Sequence, residues 1–251
     1  MLSSIVRKSV LGIIPARFAS SRFPGKALAL LGGKTILQHV WERASLCRYL
    51  TDLIIATDDD RIHAEARRFG ASVRMTRADH ASGTDRAAEV ASVSTAGVVV
   101  NIQGDEPLID PAAIDAATLG LVEDPNVAMA TLKKVIEDPG EIANPNVVKV
   151  VTDLHGNAIY FSRCPIPFDR EGAGVHFKHV GLYVYRREFL LAYPSLRVGP
   201  LEKRERLEQL RAIENGHLIR VVQTEYESLG VDTPEDLEKV SALFEISTAK
   251  P

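Results

Sequence analysis

The sequence predicts an α/β fold: a mostly parallel central sheet covered by helices on both faces, with a small antiparallel extension. Short apolar runs at Val10–Ile14, Leu53–Thr57 and Val98–Gln103 alternate with stretches of helical period. Strands buried on both faces require such unbroken apolar runs, and crossover helices between them make the sheet parallel. After about residue 127 the order changes to strands with few helices between them.

Taken in order, Val10–Ile14 is the first strand. It breaks at Pro15 into a loop of small residues with three cations, Arg17, Arg22 and Lys26. Gly32-Gly33 reads as a tight turn, and Thr35–Cys47 spaces Ile36, Leu37, Val40, Trp41 and Ala44 with a helical period. Leu53–Thr57 runs into Asp58, Asp59 and Asp60, acidic groups that suit the unpaired N–H groups of a helix start. That helix continues to about Phe69 and stops at Gly70. Ala71–Met75 is a third short strand, Asp85–Ser94 a helix for which Thr84 reads as the cap, and Val98–Gln103 a strand ending at Gly104-Asp105-Glu106-Pro107. Asp110-Pro111 opens the next helix with proline at its first position. Val127–Lys133, Val147–Thr152, Ala158–Ser162 and Val180–Tyr185 read as the strands of an antiparallel subregion over about residues 127–185. Asn144-Pro145-Asn146 and His155-Gly156-Asn157 supply its turns, and Asp169–Gly174 an exposed loop. Leu201–Asn215 is a helix stopped by Gly216, Leu218–Gln223 the last strand, and Thr233-Pro234 the start of the final helix.

With 251 residues and 45% hydrophobic content the chain can bury a full core. No repeat, low-complexity segment or linker divides it, so residues 1–251 read as one domain. The net charge of −3, without a strongly basic stretch, does not favour nucleic-acid binding. The two cysteines, Cys47 and Cys164, form no CxxC pair, which argues against a disulfide framework or structural zinc and fits a reducing compartment. The N-terminal apolar run is too short for a membrane span. The expectation is a cytoplasmic protein with no membrane insertion.

In a parallel sheet, ligands bind outside the carboxyl ends of the strands. The loop after Ile14, the Asp58–Asp60 cluster and Gly104–Pro107 should therefore line one rim. Small residues let backbone N–H groups approach an anion, and Arg17, Arg22 and Lys26 offset its charge, so the first loop reads as an anion site. It is not a dinucleotide fingerprint, because no GxGxxG occurs. Nor is it a P-loop: Gly33-Lys34-Thr35 matches the end of that motif, but Leu28 stands where its first glycine belongs. Asp105 reads as a metal ligand at the rim or as a turn aspartate before Pro107. Asp232 reads as a second ligand or as a cap ahead of Thr233-Pro234.

Longer motifs go further. Ile14-Pro15-Ala16-Arg17, Ser20, Arg22 and Pro24-Gly25-Lys26 resemble the nucleotide-binding signature of sugar nucleotidyltransferases that activate acidic sugars with CTP. His80-Ala81-Ser82-Gly83-Thr84-Asp85-Arg86, Asn101-Ile102-Gln103-Gly104-Asp105-Glu106-Pro107, Tyr160-Phe161-Ser162-Arg163, Lys178-His179-Val180-Gly181-Leu182-Tyr183, Leu207-Glu208-Gln209-Leu210-Arg211 and Gly230-Val231-Asp232-Thr233-Pro234-Glu235-Asp236-Leu237 follow in order. From Val10 to the final helix they resemble the family that acts on 3-deoxy-D-manno-octulosonate (Kdo). Phe23 departs from the leucine expected there, one apolar residue for another.

The resemblance implies a Rossmann-like nucleotidyltransferase fold whose antiparallel extension serves a homodimer. It implies transfer of CMP from CTP to Kdo with magnesium, for lipopolysaccharide synthesis. On this basis Arg17, Lys26, Asp105 and Asp232 are the catalytic set, and Asp105 and Asp232 the metal ligands. CTP falls to Pro15, Ala16, Arg17, Ser20 or Ser21, Arg22, Lys26, Ser82, Gly83, Thr84 and Gln103, with Asp85-Arg86 completing the cytidine-side loop and Gln103 open between base, ribose and sugar. The sugar acid falls to Arg163, His179, Tyr183, Glu208 and Gln209. On residues alone, His179 and Tyr183 could be packing on one strand face, and Glu208 and Gln209 an exposed helix face. The attacking oxygen belongs to the substrate, so no Ser-His-Asp arrangement is needed. A related sugar acid, such as a sialate or an 8-amino variant, or a nucleotide-binding protein without catalysis are the competing readings.

Overall fold

The computed structural model describes residues 9–20, 22–172 and 174–248. Ser21 and the first eight residues of the opening segment lie outside them. In chain order the elements are β1 (Val10–Ala16), a hairpin of β2 (Leu30–Leu31) and β3 (Lys34–Thr35) turning at Gly32-Gly33, and α1 (Ile36–Ala44). β4 (Asp52–Thr57), α2 (Asp60–Arg68), β5 (Ser72–Met75), α3 (Gly83–Ser92), β6 (Val98–Asn101) and α4 (Pro111–Val122) follow. The second half adds β7 (Met129–Val135), α5 (Gly140–Ala143), β8 (Lys149–Thr152), β9 (Ala158–Ser162) and β10 (Phe177–Arg186). It ends with α6 (Arg187–Ala192), α7 (Pro200–Glu205), α8 (Leu210–Glu214), β11 (Ile219–Gln223) and α9 (Pro234–Thr248).

The predicted helix starts hold at α2, where the Asp59 carboxylate accepts from the N–H groups of Arg61 and Ile62, and at α4, where Asp110 caps and Pro111 follows. At α3 the cap is Ser82 rather than Thr84. Ser82 accepts from the Asp85 N–H, and the Asp85 carboxylate returns the bond to the Ser82 N–H. This reciprocal pair satisfies two orphan donors and fixes the first turn.

The main sheet runs β11-β7-β10-β6-β1-β4-β5. β1 pairs parallel with β4 and β6, β4 with β5, and β7 with β11. β10 lies antiparallel between β6 and β7. The expected antiparallel subregion is therefore divided. Val127–Lys133 and Val180–Tyr185 belong to the central sheet, and only β8–β9 forms a hairpin beside it, joined to β10 at Lys149–Lys178. Apolar side chains of β7 and β10 enter both cores, with Ala130, Leu132, Val180, Leu182 and Val184 in one and Met129 and Tyr185 in the other, so both sheet faces are covered there too.

Side chains alternate across β1. Val10, Ile14 and Ala16 face one core with Ile36, Leu37 and Val40 of α1, Ile62 of α2 and Ile114 of α4. Leu11 and Ile13 face the other with Ala87 and Val90 of α3, Leu190 of α6 and Leu210 of α8. Ile13 and Ile14 are wholly buried, so truncating either to alanine costs about 2–5 kcal/mol.

The predicted helix Leu201–Asn215 is two helices. Arg206 takes a left-handed conformation, φ 54°, and its N–H closes α7 on the Glu202 carbonyl at 2.8 Å. The break lets Leu207 and Leu210 reach the core, and a bidentate Arg211–Glu202 pair at 2.6 and 2.9 Å staples α8 back to α7. Among the described residues no helix is long and apolar enough to cross a membrane.

Strand direction places the site. β1, β4, β6, β7 and β11 all end on one rim. β10 runs the other way, so it begins there.

Candidate active site

The loop after β1 folds back on itself. The N–H groups of Ser20 and Gly25 both donate to the Phe18 carbonyl, at 3.0 and 2.9 Å. Gly25 has φ +74°, and a Cβ there would lie 2.8 Å from the Phe18 ring, so both backbone and space require glycine. Ala27 is buried next to it, which anchors the neighbouring Lys26 and aims its side chain across the rim.

The loop after β6 crosses the end of β1 at Gly104, where a Cβ would stand 2.7 Å from the Pro15 carbonyl oxygen. This close crossing brings Asp105 to Lys26. The segment after β11 brings Asp232 to the same place, tied by the Val231 N–H donating to the Asp105 carbonyl at 2.9 Å. Lys26 Nζ donates to Asp105 Oδ2 at 2.6 Å and Asp232 Oδ1 at 2.8 Å, and Arg22 donates to Asp232 Oδ2 at 2.8 Å. Burial works against the Lys26 charge, but Asp105 and Asp232 outweigh it and hold its pKa above the ordinary lysine value. Arg17 is exposed and has no ion pair among the described residues.

The two carboxylates thus converge on one point that a cation occupies. Among the described residues no group of three or more His, Cys, Asp or Glu could hold a metal. A cation there would complete its coordination with phosphate oxygens and water, which is how magnesium is commonly bound. The donor set fits that ion.

A cavity of about 290 Å³ opens above these groups. Of the residues assigned to nucleotide and catalysis from sequence, Pro15, Ala16, Arg17, Ser20, Arg22, Lys26, Ser82, Gly83, Gln103, Asp105 and Asp232 line it. Thr84 does not: it is buried, with its hydroxyl 3.3 Å from Glu208 Oε2. Arg86 of the same predicted loop lines the cavity too, and His80, Ala81, Ala27 and Gly104 line it without having been given roles of their own. Only their place within the quoted motifs and the opening loop marked them. Arg86 is buried and held by Asp58 at 3.1 Å and by the Thr76 hydroxyl. The Gln103 amide donates to the Gly181 carbonyl at 3.0 Å, which ties the cavity wall to β10.

The five residues assigned to the sugar lie beyond this cavity's lining and form two groups. Glu208, Gln209, Tyr183 and His179 make a connected wall. Glu208 faces Ser82 and Thr84 at 3.4 and 3.3 Å, and Tyr183 Oη donates to Gln209 Oε1 at 3.3 Å. Burial raises the Glu208 pKa, with Arg211 opposing. The His179 ring packs edge-on to Phe161, bonds Thr131 Oγ1 at 2.9 Å, and is pushed down to about 3 by burial. Arg163 stands apart in the frame of the hairpin. Its guanidinium donates to the carbonyls of Glu205 and Pro145 at 2.8 and 2.9 Å.

Chemically, the rim offers four cations, Arg17, Arg22, Lys26 and Arg86, a helix N-terminus at Ser82–Gly83, and two convergent carboxylates, a combination suited to a polyphosphate with a divalent cation. A family model described as cytidylyltransferase matches residues 11–221. The chain is 70% identical over 242 residues to a 3-deoxy-manno-octulosonate cytidylyltransferase of Solibacter usitatus, across 96% of each chain. It is 55% identical over 244 residues to one of Geobacter sulfurreducens, across 92% of this chain and 98% of that one. Among solved structures it superposes, with a TM-score of 0.92 and 42% identity, on CMP:2-keto-3-deoxy-manno-octonic acid synthetase complexed with CTP, across 95% of this chain and 99% of that one.

Proposed function

The chain belongs to the cytidylyltransferase family, and on that footing we propose that its rim transfers CMP from CTP to Kdo, releasing pyrophosphate. The product is Kdo activated for lipopolysaccharide synthesis. The anomeric hydroxyl of Kdo attacks the α-phosphorus, and the bond from that phosphorus to the pyrophosphate oxygen breaks. A triphosphate and a sugar carboxylate repel each other, so the protein must supply positive charge and in-line placement. The observation that carries the reading is the meeting of Asp105 and Asp232, from segments far apart in the chain, on Lys26.

Arg17, Arg22 and Lys26 hold the triphosphate and the departing pyrophosphate. Ser82 and Gly83 turn a helix N-terminus toward the nucleotide, and Gln103 stands between nucleotide and acceptor. Asp105 and Asp232 would hold magnesium, which when bound polarises phosphoryl oxygens and offsets their charge. His179, Tyr183, Glu208 and Gln209 form the acceptor wall, and Arg163 frames its outer side. Leu154, Ile159, Phe168 and Val175 are exposed on or beside the β8–β9 hairpin. They support a homodimer through this region, which sedimentation at micromolar concentration tests. The protein works in the cytoplasm, where CTP is present.

The test of function is pyrophosphate release with magnesium and Kdo, using CTP against ATP, GTP and UTP, and a panel of 2-keto sugar acids with CTP. CTP and Kdo should be strongly preferred. Asp105→Ala should abolish release with the fold retained, and unchanged turnover would refute its role.

A further inference from the structure

Glu106 follows Asp105 but turns away from the cavity. It is 7% exposed. Its Oε2 accepts from Tyr226 Oη and its Oε1 from Ser228 Oγ, both at 2.7 Å. Tyr226 is itself buried. Both hydroxyls sit on the segment that leaves β11 and arrives at Asp232. Between them Glu227 faces the other way, paired with Lys134 at 2.8 Å and Lys178 at 2.6 Å. Farther on, the Val231 N–H reaches the Asp105 carbonyl.

Asp105 and Asp232 carry like charges and share no secondary structure, so nothing local fixes their separation. Besides the Lys26 bridge, two bonds through Glu106 and one through the Asp105 backbone do. We propose that Glu106 is a positioning residue: by latching Tyr226 and Ser228 to the β6 loop it sets the spacing of the Asp105 and Asp232 carboxylates, and with it the affinity for the divalent cation. This rests on the reading that these two carboxylates hold that cation. A residue that only filled the core could be replaced by a hydrocarbon of similar size. A latch needs a hydrogen-bonding atom facing each of the two hydroxyls.

The experiment compares Glu106→Gln, Glu106→Leu and Tyr226→Phe with the unaltered chain. Mn²⁺ affinity is read by electron paramagnetic resonance of the free ion with CTP present and Kdo absent. CTP affinity in EDTA and the melting temperature are the controls. Outer partners of metal ligands are commonly worth about tenfold or more in metal affinity. Tyr226→Phe and Glu106→Leu should each weaken Mn²⁺ binding about tenfold and leave CTP binding in EDTA nearly unchanged. Glu106→Gln, which can accept from one hydroxyl and donate to the other, should retain most of the affinity. If Glu106→Leu does not fold, Tyr226→Phe decides alone, since it keeps the ring and removes one hydroxyl. Asp105→Asn and Asp232→Asn separate the two ideas. If they weaken Mn²⁺ binding while Tyr226→Phe leaves it unchanged, the latch is overturned. If they too leave it unchanged, the metal reading fails and the latch with it.

Discussion

Lys26→Met tests how the rim is organised before substrate arrives. Methionine keeps a similar unbranched length and removes the charge. A divalent cation entering between Asp105 and Asp232 must first displace the ammonium from bonds of 2.6 and 2.8 Å. Charge-assisted hydrogen bonds contribute about 1.5–3 kcal/mol each when shielded from water. Here the side chains of Lys26, Asp105 and Asp232 are 17%, 29% and 46% exposed. Solvent-screened pairs fall to about 1 kcal/mol or less, and the Asp232 bond is the more screened. A net hindrance of about 1.4 kcal/mol is a reasonable sum, equal to about tenfold in affinity. Lys26→Met should therefore bind Mn²⁺ about tenfold more tightly than the unaltered chain when no nucleotide is present. CTP binding in EDTA should weaken, because the same ammonium is a phosphate cation. Paramagnetic resonance of free Mn²⁺ and calorimetry with CTP give the two numbers. If metal affinity without nucleotide is unchanged or lower, Lys26 does not hold the place of the cation.

Three further predictions follow from single contacts. Gly104→Ala drives a Cβ to within 2.7 Å of the Pro15 carbonyl; backbone on both sides cannot yield, so stability should fall by about 1–3 kcal/mol and the rate with it, by thermal melts and pyrophosphate release. Lys149 is wholly buried and donates to the carbonyls of Asn144, Val147 and Arg163 at 2.9, 2.5 and 2.7 Å. Lys149→Met leaves those acceptors unpaired, at a cost of about 3 kcal/mol, read as a melting temperature lower by about 6–12 °C. His179 is pushed to about 3 from 6.5, so the unfolded chain takes its proton first as pH falls. Stability from this group is complete above about 6.5 and is lost on the way down to about 3. His179→Gln should flatten that part of the stability–pH curve, and an imidazole NMR signal titrating near 6.5 would refute the assignment.

The nucleotide half was legible because its signals are local. A buried strand followed by small residues and cations, an Asp before a helix, and a Pro at a first helical position each act within a few residues. Asp105 and Asp232 were ambiguous for the opposite reason. What distinguishes a ligand from a turn or cap residue is the contact between them, made through Lys26, Val231 and Glu106 across most of the chain. The break between α7 and α8 had no signal, since the left-handed residue is Arg206 and not a glycine. Burial of Leu207 and Leu210 and the Arg211–Glu202 pair impose it. In Ser82-Gly83-Thr84-Asp85 the sequence points to Thr84 as the cap, and the reciprocal bonds between Ser82 and Asp85 make it Ser82 instead. Strand direction is also silent in periodicity. Val180–Tyr185 looked like part of an appendage, although it runs through the middle of the main sheet.

The excursion from β7 to β10 begins and ends at neighbouring points, but it stays fastened to the sheet between them. At its ends the Ile136 N–H donates to the His176 carbonyl at 2.9 Å. Between those ends β8 pairs with β10 at Lys149–Lys178, the Gly156 carbonyl accepts from the Val221 N–H of β11 at 2.8 Å, and Ser162 Oγ and the Arg163 N–H donate to Glu205 of α7. Its contents are not free to vary alone, because Val150 of β8 and Phe161 of β9 are buried in the core that Ile13 of β1, Leu207 and Leu210 share. A change of acceptor would therefore have to alter the wall at Tyr183, Glu208 and Gln209 together with the hairpin packed on it, whose Phe161 meets the His179 ring edge-on, while the loops after β1 and β6 stay as they are.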